Sequence, residues 1–460
     1  MHDDETPDFW RNLKREIRAG RAWIDRAIVL AAAVATGASV VGVTLLCEAA
    51  SHLHERMRSS GPLGPWLMLL WTPVITAILV WLTRRFAPGA AGSGIPQVIV
   101  ALDDSLAPER RRALVSLPLA IKKAALLGGA MLAGLSAGRE GPTVQIGAGV
   151  MLSVRRWLSP AARIDGHDLM VAGAAAGIAA AFNTPLGGVM FALEKLSRRH
   201  HAAQSALVIV CIVLSGLVAV SVFGNLTYFG QLRVQSLSLQ LLLPGLVVAV
   251  VAGLLGGLFS QLLVSSLAPG PGRIKQWRQQ YPVRFGAACA LGVAVIGLVC
   301  QGSTSGAGYA PTRAMLEGQT DVPALYTLLK FMATWLSSWT GVPAGVFAPS
   351  LAVGAGIGRD VAWLFGLPPE HAIPLIALGM VGFLAAATQG PLTAFILVME
   401  MVSGHAMVLS LMLTAFVSSG ISRLICGPMY AELAKLMRPR PAASPTPPPT
   451  PPQAQAEPVR

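Results

Sequence analysis

The chain has 460 residues, of which 53% are hydrophobic and 12% charged, and it carries 48 glycines. Soluble proteins carry about 25% charged residues, so an ordinary water-soluble globule is excluded and an all-α polytopic membrane protein is expected. The formal net charge of +13 implies no nucleic-acid partner, because the basic residues gather at the ends of apolar segments and no aromatic-interleaved patch accompanies them.

Residues 1–23 open with acids (Asp3, Asp4, Glu5) and continue as a basic amphipathic stretch over 9–23. That stretch is expected to lie along the inner membrane surface. No short apolar core with a small-residue cleavage site follows, so no cleaved signal peptide is expected. Apolar runs then recur, at 27–46, 67–82, 206–222, 239–263 and 285–300 among others. Each approaches the about 20 residues that a helix needs to cross the hydrocarbon. They predict one transmembrane domain over 24–437 with roughly ten or more crossings, several short or interrupted. Arg110, Arg111 and Arg112, Lys122 and Lys123, and Arg198 and Arg199 mark segment ends, and the pattern predicts a cytoplasmic N-terminus.

The first chemical motif is Gly92-Ser93-Gly94-Ile95-Pro96. Glycines permit close backbone approach, and proline suits the first turn of a helix. Ser93 offers a hydroxyl just ahead of that helix, either as a ligand or as an ordinary cap. The second motif, Gly138-Arg139-Glu140-Gly141-Pro142, sets a carboxylate within an apolar region. A carboxylate near mid-membrane costs about 2.5–3.5 kcal/mol on insertion scales and is functional by default. The alternative is a helix-start acid paired with Arg139. One helix amide end returns only ~0.3–1 kcal/mol, so several must converge to replace an ion's hydration.

A third motif, Gly345-Val346-Phe347-Ala348-Pro349, lies 207 positions after the second, and its chemistry is its amides. Both run on at the same spacing, to Gly147-Ala148-Gly149 and Gly354-Ala355-Gly356. The repeat extends further. Pro185 precedes Glu194 by nine residues, and Pro391 precedes Glu400 by nine. The 92–96 motif has a looser partner in Gly306-Ala307-Gly308-Tyr309-Ala310-Pro311. The halves run over about 27–223 and 239–423. Paired broken helices from two halves of a chain point to a transport site, and helix amide ends bind anions. Tyr430, after the last apolar segment, could donate its phenol to an ion or sit as an interfacial tyrosine.

Residues 438–460 are rich in proline, alanine, threonine and serine, and predict a disordered tail. The five cysteines (Cys47, Cys211, Cys289, Cys300, Cys426) are scattered in apolar segments and read as small buried side chains. The histidines form no H-E-x-x-H, so no metal is expected. No G-x-S-x-G appears, so an intramembrane enzyme using Glu140 as its acid lacks a nucleophile. The chain is therefore read as no enzyme, with no cofactor.

GSGIP at 92–96, GREGP at 138–142 and GVFAP at 345–349, in that order and with Tyr430 near the end, resemble the CLC chloride channels and chloride/proton exchangers. The chain looks most like the bacterial branch, with its ClcB-like members nearest. The resemblance implies a CLC-type fold with two inverted repeats of short, tilted and broken helices, a homodimer, and a bacterial inner membrane. It implies chloride as substrate, bound by Ser93 and Tyr430 and by the amides of Val346 and Phe347. An outer site would use amides around Arg139, Glu140 and Gly141, with Glu140 as gate. Coupled members carry two adjacent glutamates after the FN-x-PL segment. Here the pair reads Glu194-Lys195. A lysine is cationic near neutral pH unless desolvated, so passive or weakly proton-coupled conduction is expected. The alternative is a chloride/proton antiporter with a different internal proton route.

Overall fold

The computed structural model describes residues 20–160, 162, 164–196, 206–224, 229, 239–319 and 322–438. Apart from Gly20–Trp23 and Arg438, the expected surface stretch and the proline-rich tail lie outside them. The first described helix spans Gly20–Arg58 without a break, so Gly20–Trp23 share a helix with the first apolar run.

Among the described residues, eight helices are long and apolar enough to cross a membrane: Gly20–Arg58, Gly64–Phe86, Pro108–Leu132, Ala206–Phe223, Leu242–Leu267, Pro282–Val299, Pro369–Thr388 and His405–Arg423. Gly166–Phe182 and Pro391–Met401 are apolar but shorter. The expected interrupted crossings are these, together with the buried helices Glu140–Ser153 and Phe347–Leu364.

Proline stands in the first turns of helices that begin beside it, as at Pro96, Pro185, Pro369 and Pro391. Its missing N–H costs nothing there, and its fixed φ suits the turn. The Gly166–Phe182 helix instead starts on a capping box in which Asp165 and Asp168 bond each other's amides.

Burial sorts the helices into a centre and a rim. In Pro369–Thr388, 83% of the apolar window is buried, against 33% in Gly64–Phe86, Ala206–Phe223 and Pro282–Val299. The rim helices turn leucine, valine and tryptophan outward, as lipid requires. Small residues let the central backbones touch. A Cβ on Gly147 would strike Gly173, and a Cβ on Gly354 would strike Gly379. These contacts give the repeated glycine spacing of the sequence its packing role.

The halves meet as equivalents. Gly138 and Gly345 form an isolated antiparallel bridge. Asn183 and Gln389 both end their helices in the left-handed conformation, at φ 57° and 52°.

Candidate functional site

Three glycine–proline motifs converge on one spot. Gly92 N donates to Val342 O at 3.1 Å, and Ala344 N donates to Gly92 O at 3.3 Å. These bonds lay the 92–96 turn against the approach to the third motif. Gly94 has φ 105°, a conformation that glycine tolerates and other residues rarely adopt. A Cβ there would lie 2.8 Å from Gly141 O, so the first motif also abuts the second. A side chain on Gly141 would run into the Ser93 hydroxyl.

The Ser93 Oγ is buried and meets no hydrogen-bond partner, and the same holds for the Tyr430 phenol, although the two hydroxyls are neighbours. Gly94, not Ser93, caps the Ile95–Ala101 helix, with no side-chain cap bond. Tyr430 is 2% exposed and stacks on Phe347 with ring centroids 6.0 Å apart. It is therefore packed inside the protein and not part of an interfacial belt. Val346 caps the Phe347–Leu364 helix, and the first amides of any helix lack an intrahelical acceptor. Buried orphan hydroxyls beside open amides make a pocket of donors.

Glu140 is fully buried. Its Oε1 accepts from the Tyr309 phenol, and its Oε2 accepts from the Ala348 amide at 3.4 Å. The carboxylate thus leaves its own helix and lies across the amide end of the equivalent helix of the other repeat. It does not pair with Arg139. That guanidinium reaches Glu48 Oε1 at 3.0 Å and packs over the Tyr309 ring at 5.3 Å. Adjacent residues at a helix start point in different directions, so neighbours in sequence need not be partners. A cavity of about 850 Å³, walled by Cys47, Glu48, Arg58, Arg139 and Tyr309 among others, opens at the end of the first helix far from the N-terminus.

Two residues at the site carry no motif. Lys123, grouped above with segment-end charges, is fully buried. Its Nζ donates to Gly92 O at 3.1 Å and Gln145 Oε1 at 2.6 Å. Lys122, one position away, bonds Phe86 O at the surface, and helical rotation accounts for the difference. Tyr309 was visible only as part of the loose repeat.

Lys195 lies in a π-helical turn, Ala192–Leu196, and donates to Thr388 O at 2.9 Å. Glu194 accepts from Leu392 N and Thr393 N at 3.1 and 2.9 Å. Glu400 accepts from Leu186 N and Gly187 N at 3.2 and 2.7 Å. Each acid caps the helix that leads to the other.

The family profile described as "Voltage gated chloride channel" matches residues 75–423. The chain is 29% identical over 431 residues to the H(+)/Cl(-) exchange transporter ClcA of Vibrio parahaemolyticus, covering 88% of each chain. It is 29% identical over 464 residues to the ClcA of Klebsiella pneumoniae, covering 93% of this chain and 94% of that one. Its fold is similar to that of a slow cyanobacterial Cl−/H+ antiporter, with a TM-score of 0.72 at 24% identity over 89% of this chain and 96% of that one. A CLC-type fluoride/proton antiporter follows at a TM-score of 0.70 and 24% identity, covering 87% of this chain and 95% of that one.

Proposed function

The chain belongs to the voltage gated chloride channel (CLC) family, and on that premise we propose that it carries chloride through a seat between its two repeats, with Glu140 competing for that seat. The observation that carries this reading is the Glu140 carboxylate at the Ala348 amide. An anionic side chain already occupies an amide end of the kind that binds anions. Protonation weakens that hold and frees the carboxylate to swing away, which opens the path. The inner anion contacts are the hydroxyls of Ser93 and Tyr430 and the amides of Val346 and Phe347. The outer ones are the amides around Arg139 and Gly141. Donors without a fixed cation at contact suit a monovalent anion that must bind and leave. The protein works as a homodimer in a bacterial inner membrane and needs no cofactor.

Chloride efflux from proteoliposomes tests this. Glu140→Ala and Glu140→Gln keep the path open at neutral pH and flatten the pH dependence. A mutant profile that tracks wild type removes Glu140 from the gate.

Lys195 favours passive or weakly coupled conduction within this reading. Its ammonium occupies the position of the second glutamate and is committed to Thr388 O. The names of the relatives, exchange transporters, support the alternative of an antiporter with another internal proton route. Crossed chloride and proton gradients separate the two: a reversal potential at the chloride equilibrium value supports the first, and a displaced one supports the second.

A further inference from the structure

Lys123 stands fifteen residues before Gly138, and Lys330 stands fifteen before Gly345. Both are fully buried. Among the described residues neither forms an ion pair, and each spends its protons on carbonyl or amide oxygens. A buried ammonium without a counter-charge is expensive, so a pair at equivalent places in both repeats calls for a role. Lys123 braces the turn that presents Ser93. Lys330 braces the turn that presents Tyr309. Its Nζ donates to Thr304 O at 2.9 Å and Gly306 O at 2.8 Å.

That second turn is closely packed. Gly306 and Gly308 have φ 62° and 87°. A Cβ on Gly308 would lie 3.0 Å from Lys330 Cε and 2.6 Å from Ala352 Cβ. The turn is therefore wedged between the lysine stem and the Phe347–Leu364 helix, one helical turn beyond Ala348. The element that presents the Tyr309 phenol and the element that presents the Ala348 amide form one packed unit, and they grip the two oxygens of Glu140 from two sides. The Tyr309 ring itself contacts both the Arg139 guanidinium and Phe229 and walls the cavity of about 850 Å³, whose lining does not include Glu140.

We propose that Tyr309 is the catch that holds the Glu140 carboxylate in the anion seat, and that Lys330 is the positioning residue that sets the reach of that catch. The proposal rests on the reading of Glu140 as a competitor for chloride. The other titratable and charged groups facing the carboxylate are Arg139, already paired with Glu48, and Cys47 and Tyr430. None of them is substituted in the variants below.

The test is chloride efflux from proteoliposomes across acid to neutral pH, with Tyr309→Phe, Lys330→Met and Lys330→Arg each made alone and in a Glu140→Ala background. Tyr309→Phe keeps the ring and removes only the donor. It raises flux at neutral pH by about tenfold, the effect of losing one hydrogen bond to a charged group, and activation persists to higher pH. Lys330→Met moves flux in the same direction, and Lys330→Arg, which keeps a buried donor, returns it toward wild type. In Glu140→Ala the Tyr309→Phe change has no further effect. Wild-type flux at every pH in Tyr309→Phe, or the same increase with Glu140 already removed, overturns the catch. Equal behaviour of Lys330→Met and Lys330→Arg overturns the positioning role. Should Lys330→Met fail to yield monodisperse protein, Tyr309→Phe alone still decides the catch, and Lys330→Gln takes the place of Lys330→Met in the comparison with Lys330→Arg: equal flux in those two refutes the positioning role. A Glu140→Ala profile identical to wild type sinks the competitor reading itself, a separate failure.

Discussion

Gly138 and Gly345 exchange both of their backbone hydrogen bonds, N to O at 2.7 Å one way and 2.9 Å the other. They are equivalent residues of the two repeats, so an approximate two-fold axis passes between them. That pair brings the starts of the Glu140–Ser153 and Phe347–Leu364 helices together. A Cβ on Gly345 would lie 2.7 Å from Gly138 O and 3.1 Å from Gly141 N. Gly345→Ala should therefore force the halves apart at a cost of about 1–3 kcal/mol, with a large loss of flux. Gly420, which has nothing within 4 Å of its Cβ position, is the control. Thermal unfolding and efflux measured on both variants decide it; a Gly345→Ala protein as stable and as active as Gly420→Ala means the bridge is dispensable.

Ser93 and Tyr430 present neighbouring buried hydroxyls with no other partner in the protein. Removing one of them deletes at most the contact between the two, so Ser93→Ala and Tyr430→Phe should melt close to wild type. A hydrogen bond to an ion is worth about 1.5–3 kcal/mol, so each should weaken chloride binding at least about tenfold. Calorimetric titration with chloride reads this directly. Loss of stability with affinity intact reverses the assignment and makes both hydroxyls packing groups.

Much of this site could be read from the chain, and what could not has one cause. The motifs at 92–96, 138–142 and 345–349 announce themselves because proline suits helix starts and glycine is needed, for left-handed φ at Gly92 and Gly94 and for close backbone approach at Gly138, Gly141 and Gly345. The repeat shows through matched spacings such as Pro185 to Glu194 and Pro391 to Glu400. The partners of those residues are chosen by tertiary contact, which leaves no local mark. Glu48 takes Arg139 across 91 residues, and Tyr309 takes Glu140 across 169. Lys123 looked like one more cation beside Lys122, since spacing alone does not say which side of a helix meets a turn carbonyl.

Glu194 and Glu400 cap each other's partner helices. A carboxylate on two helix-start amides gains from both hydrogen bonding and the helix dipole. Glu194→Gln and Glu400→Gln should each lower stability by about 1–2 kcal/mol, and equally, because the caps are equivalent. Denaturation of the two variants in the same detergent checks this. A cost confined to Glu400 would mean that Glu194 does not act as a stabilising cap.

Lys195 offers the sharpest test of coupling. Its ammonium reaches Thr388 O at 2.9 Å and lies against Gly390, beside the Glu194 carboxylate. A cation there neighbours Glu194, and on the proposed reading it takes the place of a second acid that would relay protons to the seat. Lys195→Glu replaces a donor with an acceptor opposite a carbonyl and sets two carboxylates side by side. Like charges at such a distance favour keeping one proton between them, which is the property that a relay needs. The expected outcome is a reversal potential that moves away from the chloride equilibrium value under crossed gradients. Lys195→Gln, which loses the charge without adding an acid, should not move it. If Lys195→Glu stays at the chloride value, position 195 is not on the proton route. If wild type is already displaced and Lys195→Glu adds nothing, protons travel elsewhere and the exchanger alternative stands.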